Sequence, residues 1–119
     1  MNRVSPDGMG NEPYRVVVGF NNQRFSATVP LIELVATRRQ LEFRARFGFG
    51  RFVGPWRVDR AEVTKLFRAP GFVSDRVAIQ GSNHLDWTIY TFHPEPILLN
   101  LEDLGYPVDW FYRAGADLL

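Results

Sequence analysis

The chain contains no cysteine. Disulfide frameworks, thiol nucleophiles and Cys-based zinc sites are therefore excluded. Histidine is almost as scarce. His84 and His93 are the only two, and they lack the H-x-x-E or H-x-x-x-H spacing that brings two ligands to one ion. No metal and no cofactor is expected. Long apolar runs are missing as well, so no membrane-spanning helix is expected. The opening MNRVSPDGMGNEP has no apolar stretch of the kind a secretory leader needs, and a cytoplasmic location is the expectation. Lysine occurs once, at Lys65, so thirteen of the fourteen cations are arginine, whose forked guanidinium suits phosphate and carboxylate.

What remains is 119 residues, 45% of them hydrophobic, enough for one domain with a core that needs no staples. The net charge of +1 hides an asymmetry. Residues 38 to 76 carry Arg38, Arg39, Arg44, Arg46, Arg51, Arg57, Arg60, Lys65, Arg68 and Arg76 against Glu42, Asp59, Glu62 and Asp75, a net +6. Residues 77 to 119 carry Arg113 against six acids, a net −5. Such a chain either neutralises itself across the fold or presents a polarised field to an anionic partner.

Hydrophobic periodicity gives a succession of short strands. Residues 1 to 13 read as a polar tail. Tyr14 to Phe20 is rich in valine and aromatics and ends at the turn Asn21-Asn22. Phe25 to Val29 and Leu31 to Ala36 follow, interrupted by Pro30. Leu41 to Phe47 alternates with period 2, which puts Leu41, Phe43, Ala45 and Phe47 on an inward face and Glu42, Arg44 and Arg46 on the outward one. Trp56 and Val58 begin another strand. Residues 59 to 68 admit two readings: Asp59 and Glu62 form a helix-capping box, yet Val63, Leu66 and Phe67 fit a bulged strand equally well. Arg76 to Gln80 and Trp87 to Phe92 are strands. Pro94 and Pro96 suit a helix start, Ile97, Leu98, Leu101 and Leu104 make its apolar face, and Gly105 with Pro107 ends it. The predicted core contains Leu41, Phe43, Phe47, Trp56, Val58, Val63, Val77, Ile79, Trp87, Ile97, Leu98, Leu101 and Leu104. A single domain over 14–109 is expected, with 110–119 as a second tail.

Motifs for chemistry are absent. FGFGRFVG resembles a phosphate loop, but no helix N-terminus follows it. The same stretch approaches an RNA-binding strand, yet Arg51 breaks its register, so nucleic acid is not an expected partner. Ser82, His84 and Asp86 alternate in a turn and do not stack as nucleophile, base and orienter. Glu102 and Asp103 are adjacent on a helix and diverge. The chain is read as a non-enzyme.

About seven strands followed by one amphipathic helix is the layout of pleckstrin-homology-like domains. The stretches PWRVDRAEVTKLFR, RVAIQ and WTIYTFHPEPILLNLEDLGYPVD resemble the middle, last strands and closing helix of small, stand-alone bacterial members of that class. The resemblance covers about residues 25 to 109. It implies a mainly β (α+β) fold, a partly open antiparallel barrel capped by the C-terminal helix, and strand over helix for 59 to 68. It also implies a module that binds rather than catalyses. Arg44-Ala45-Arg46-Phe47 matches the end of the basic motif through which some eukaryotic relatives hold inositol phosphates, but the lysine which that motif needs upstream has no counterpart. The expected function is protein binding through a basic face or loop, with Arg38, Arg39, Arg44, Arg46, Arg51, Phe49 and Phe52 as candidate binding residues. The alternative is a peripheral binder of an anionic membrane surface or another polyanion.

Overall fold

The computed structural model describes residues 13–70 and 76–111. The expected tails, 1–13 and 110–119, fall outside these residues except for Pro13, Trp110 and Phe111. Seven strands are formed: β1 (Tyr14–Asn21), β2 (Ser26–Ala36), β3 (Gln40–Ala45), β4 (Trp56–Asp59), β5 (Val63–Ala69), β6 (Arg76–Gly81) and β7 (Asp86–Tyr90). One helix, α1 (Pro94–Asp103), follows them. The strands form one open antiparallel sheet in the order β4-β3-β2-β1-β7-β6-β5, so the fold is mainly β with a single C-terminal helix. No helix among the described residues is long and apolar enough to cross a membrane.

β1 binds the two halves of the sheet together. Tyr14 to Val18 pair with β2; after a register shift in that ladder Phe20 and Asn21 pair with β2 again, and Gly19 to Asn21 pair with β7. The bend brings the backbone of β2 against Gly19, where a Cβ would lie 2.7 Å from the Ala27 carbonyl oxygen and 2.9 Å from the Val29 nitrogen. Only glycine fits there. Pro30 lies in the stretch of β2 that pairs with neither neighbour, where its missing N–H removes no ladder bond.

Inward residues of every strand share one core. Val18, Phe20, Ile32, Leu34, Leu41, Phe43, Leu66, Val77, Ile79 and Ile89 are fully buried. Phe20 stacks on Phe43 at 4.3 Å between ring centroids, and Trp56 and Trp87 pack on Phe20 at 5.3 Å. α1 lays Ile97, Leu98 and Leu101 onto this core, against β5 and β6.

Residues 59–68 contain both of the patterns read from sequence. Arg60–Glu62 is a short 3₁₀ turn with the Asp59–Glu62 capping box, in which the Asp59 N–H donates to Glu62 Oε1 at 3.0 Å. β5 starts immediately after it. The placement of Phe47 is corrected. β3 stops at Ala45, Phe47 takes a left-handed φ of 59°, and its ring is 65% exposed rather than in the core. The alternation continues in the sequence for two residues beyond the ladder that gives it meaning.

The helix end is stapled to its surroundings. Gly105 has φ 98°, its N–H donates to Glu102 O, and the Tyr106 N–H donates to Leu101 O, the paired bonds of a glycine-terminated helix. Arg60 Nη1 donates to Leu104 O at 3.3 Å, placing a cation at the negative end of the helix dipole. The Pro107 and Asp109 backbones then bond to Leu66, which covers the outer edge of β5. Tyr106, itself buried, donates its hydroxyl to Thr37 O at 2.7 Å. Burial holds this phenol well above the ordinary tyrosine range.

The unfolded chain ionises Tyr106 near pH 10, while the folded chain keeps it neutral to higher pH. Stability is fully present below about pH 10 and falls as pH rises beyond it. Denaturant titrations from neutral to strongly alkaline pH should show this decline. In Tyr106→Phe the alkaline decline should flatten, and the lost hydrogen bond should cost about 1 kcal/mol at neutral pH.

Candidate functional site

The seven candidate residues are spread from one end of β3 to the other. Arg38 and Arg39 are exposed in the turn between β2 and β3, where Thr37 Oγ1 accepts from the N–H groups of Arg39 and Gln40. This turn lies at the helix end of the molecule, next to the Tyr106 hydroxyl.

Arg44 is the last residue but one of β3, on the outer face, where its charge is already matched. Its Nη2 donates to Glu42 Oε1 at 3.0 Å, and Arg57 Nη2 from β4 reaches Glu42 Oε2 at 3.1 Å. The Glu42 side chain is only 8% exposed. The hydrogen bond and charge of Glu42 raise the pKa of Arg44 further, so it is cationic at any working pH. The Glu42–Arg57 partnership comes from the β3–β4 register, in which the two residues are directly opposed.

Either arginine can hold the carboxylate alone. Arg44→Gln or Arg57→Gln singly should cost under about 1 kcal/mol, the range of exposed ion pairs. The double change leaves a covered carboxylate without a cation and should cost about 2–3 kcal/mol, more than the two singles added. Urea unfolding of the four proteins measures this.

The loop between β3 and β4 brings the remaining candidates together. After Ala45, the Arg46 N–H donates to Leu31 O, and Phe47 and Gly48 reverse the chain at φ 59° and 84°. Phe49–Arg51 then form a 3₁₀ turn. The N–H groups of Phe49, Arg51, Phe52 and Val53 all donate within the loop, so its backbone is internally bonded. Three phenyl rings nevertheless face outward, with Phe47 65%, Phe49 51% and Phe52 81% exposed. Each exposed ring forgoes about 1.5–3 kcal/mol that burial would supply. The Arg46 guanidinium lies 4.5 Å from the Phe47 ring centroid and donates to Pro30 O at 2.8 Å. Neither Arg46 nor Arg51 has a carboxylate partner among the described residues. At the loop's far end, Gly54 has φ 70°, and a methyl group there would sit 2.9 Å from Trp56 Cζ3.

A second feature was not visible in the sequence. The β1–β2 and β6–β7 turns meet around a polar groove of about 390 Å³, lined in part by Asn22, Arg24, Glu62, Ser82, His84 and Asp86. Asn83 and His84 occupy the two left-handed positions of a tight hairpin turn, at φ 58° and 63°. Ser82 and His84 are thus turn residues. Asn22 Oδ1 accepts from Arg24 and Phe25, and Gln23 Nε2 donates to Asp86 O. The turns could be read from sequence, but their meeting depends on the β1–β7 pairing, which leaves no local pattern. No buried side-chain polar atom among the described residues lacks a partner there or elsewhere. Among the described residues no three His, Asp or Glu side chains are grouped to hold a metal ion. No protein-family model matches the chain, and no curated protein matches it in sequence.

Proposed function

We propose that the protein is a non-catalytic docking module that engages an acidic protein surface through residues 46–52. One observation carries this reading: three outward phenyl rings on an internally bonded loop, beside two arginines without carboxylate partners. Aromatic and arginine side chains held in place before binding are the residues that dominate protein interfaces. The seven-stranded sheet closed by one helix supports the pleckstrin-homology-like reading, a class that works by binding.

The membrane alternative draws less support. It needs several convergent cations at roughly 1 kcal/mol each. Glu42 occupies Arg44, and Arg38 and Arg39 lie at the other end of β3, which leaves the loop two.

A benzophenone cross-linker installed at position 52 and activated in expressing cells tests the proposal. Discrete protein adducts are expected, and they should vanish when Arg46→Glu and Arg51→Glu are added. Adducts indifferent to that charge reversal would overturn it. So would loop-dependent co-sedimentation with phosphatidylglycerol vesicles in the absence of protein adducts.

A further inference from the structure

We infer that the acidic surface taken by the loop is that of a second copy of this chain, presented by the outer side of α1 and the residues after it. The inference rests on the docking reading of the loop. α1 buries Pro94, Ile97, Leu98 and Leu101 and turns Glu95, Leu99 and Glu102 to solvent, one helical turn apart in succession. Trp110 Nε1 donates to Glu102 Oε2 at 3.1 Å, so the indole joins that face, and Phe111 follows at 92% exposure. The last turn of the helix carries no basic residue.

The two patches are chemical complements. One sets phenyl rings beside Arg46 and Arg51; the other sets leucine, indole and phenyl groups beside Glu95 and Glu102. The sequence asymmetry, positive in the middle and negative at the end, is thereby exposed as two separate surfaces.

Within one molecule the loop and the helix end lie at opposite ends of β3. The loop leaves β3 after Ala45, while the helix end is tied by Tyr106 to Thr37, just before β3 begins. Six residues of strand separate them by about 17 Å. Contact is therefore between molecules, the loop of one on the helix of the next, a heterologous arrangement that adds copies in sequence. The outward faces of the three loop rings amount to on the order of 400 Å² of apolar surface. With a similar area from the helix side, the contact falls at the small end of specific interfaces, where association is weak and concentration-dependent.

Sedimentation velocity of the full chain over a wide concentration range, at low and high salt, reads this directly. The average mass should rise with concentration and fall with salt. Phe49→Ser with Phe52→Ser should be monomeric, as should Glu95→Lys with Leu99→Ser. Mixed in equal amounts, these two variants retain one good loop and one good helix face. They should form a one-to-one complex and nothing larger, with an affinity within about threefold of the wild-type contact. If the Leu99 change lowers the melting temperature, Glu95→Lys with Glu102→Lys replaces it.

A wild type that stays monomeric throughout, single variants that still self-associate, or a mixture that fails to pair would each overturn the inference. In any of these cases, charge-sensitive protein adducts at position 52 leave the docking reading standing with a different partner. Their absence removes both.

Discussion

Replacing Leu101 with alanine should lower the unfolding free energy by about 2–5 kcal/mol, the range for a fully buried leucine. Leu101 has no exposed surface and lies in the core cluster with Ile97, Leu98 and Leu66. Its carbonyl accepts from the N–H groups of both Leu104 and Tyr106, so the helix stop is built on this residue. Collapse around the cavity would have to move α1 relative to β5 and β6, and the Tyr106–Thr37 and Arg60–Leu104 bonds resist that movement. The cost should therefore fall in the upper part of the range. Urea denaturation measures it. A change below about 0.5 kcal/mol would show that the helix does not close the core. Cross-linking at position 52 should persist in this variant under conditions where it is folded, because the loop lies at the opposite end of β3.

Gly19→Ala should be severely damaging, at about 3 kcal/mol or more. The new Cβ would meet the Ala27 oxygen at 2.7 Å, the Val29 nitrogen at 2.9 Å and the Thr28 carbonyl carbon at 3.0 Å. All three are backbone atoms, so no side chain can turn aside to make room. Relief requires β1 and β2 to part at the register shift between them, where β1 also begins to pair with β7. The neighbouring Phe20 stack on Phe43 would be strained by the same movement. Thermal unfolding is the simplest measure. A melting temperature equal to the wild type would show that the two strands are not held this closely in solution.

Particular residues show where sequence reading reached and where it stopped. Leu41 and Phe43 are buried as their alternation predicts, because period 2 reports directly on a strand with one buried face. The helix was legible because its prolines, its apolar spacing and Gly105 agree. Phe47 departs from the pattern because alternation does not say where the ladder ends, and Gly48 is the local sign that it has. Phe49, Arg51 and Phe52 could be grouped because they are contiguous in one glycine-rich loop. Arg38 and Arg39 bracket the strand at the end opposite Arg51, which its alternation already implies, while Arg44 sits beside the loop with its charge taken up by Glu42. The pairing of Arg44 with Glu42 was within local reach, since the two share the outer face. The addition of Arg57 was not, because it depends on the β3–β4 register.

The aromatic stack beneath the loop has an optical consequence. Trp56 lies on Phe25 at 4.5 Å between ring centroids, and its six-membered ring closes over Gly54 at the loop's base. Movement of residues 47–53 would therefore alter the polarity and quenching around this indole. Trp87 sits edge-on to Phe20 and Phe43, and Trp110 lies at the far end beside Glu102. The chain thus carries a native fluorophore at the base of its loop and another on its acidic face, and unlabelled protein can report by emission which of the two ends a partner has touched.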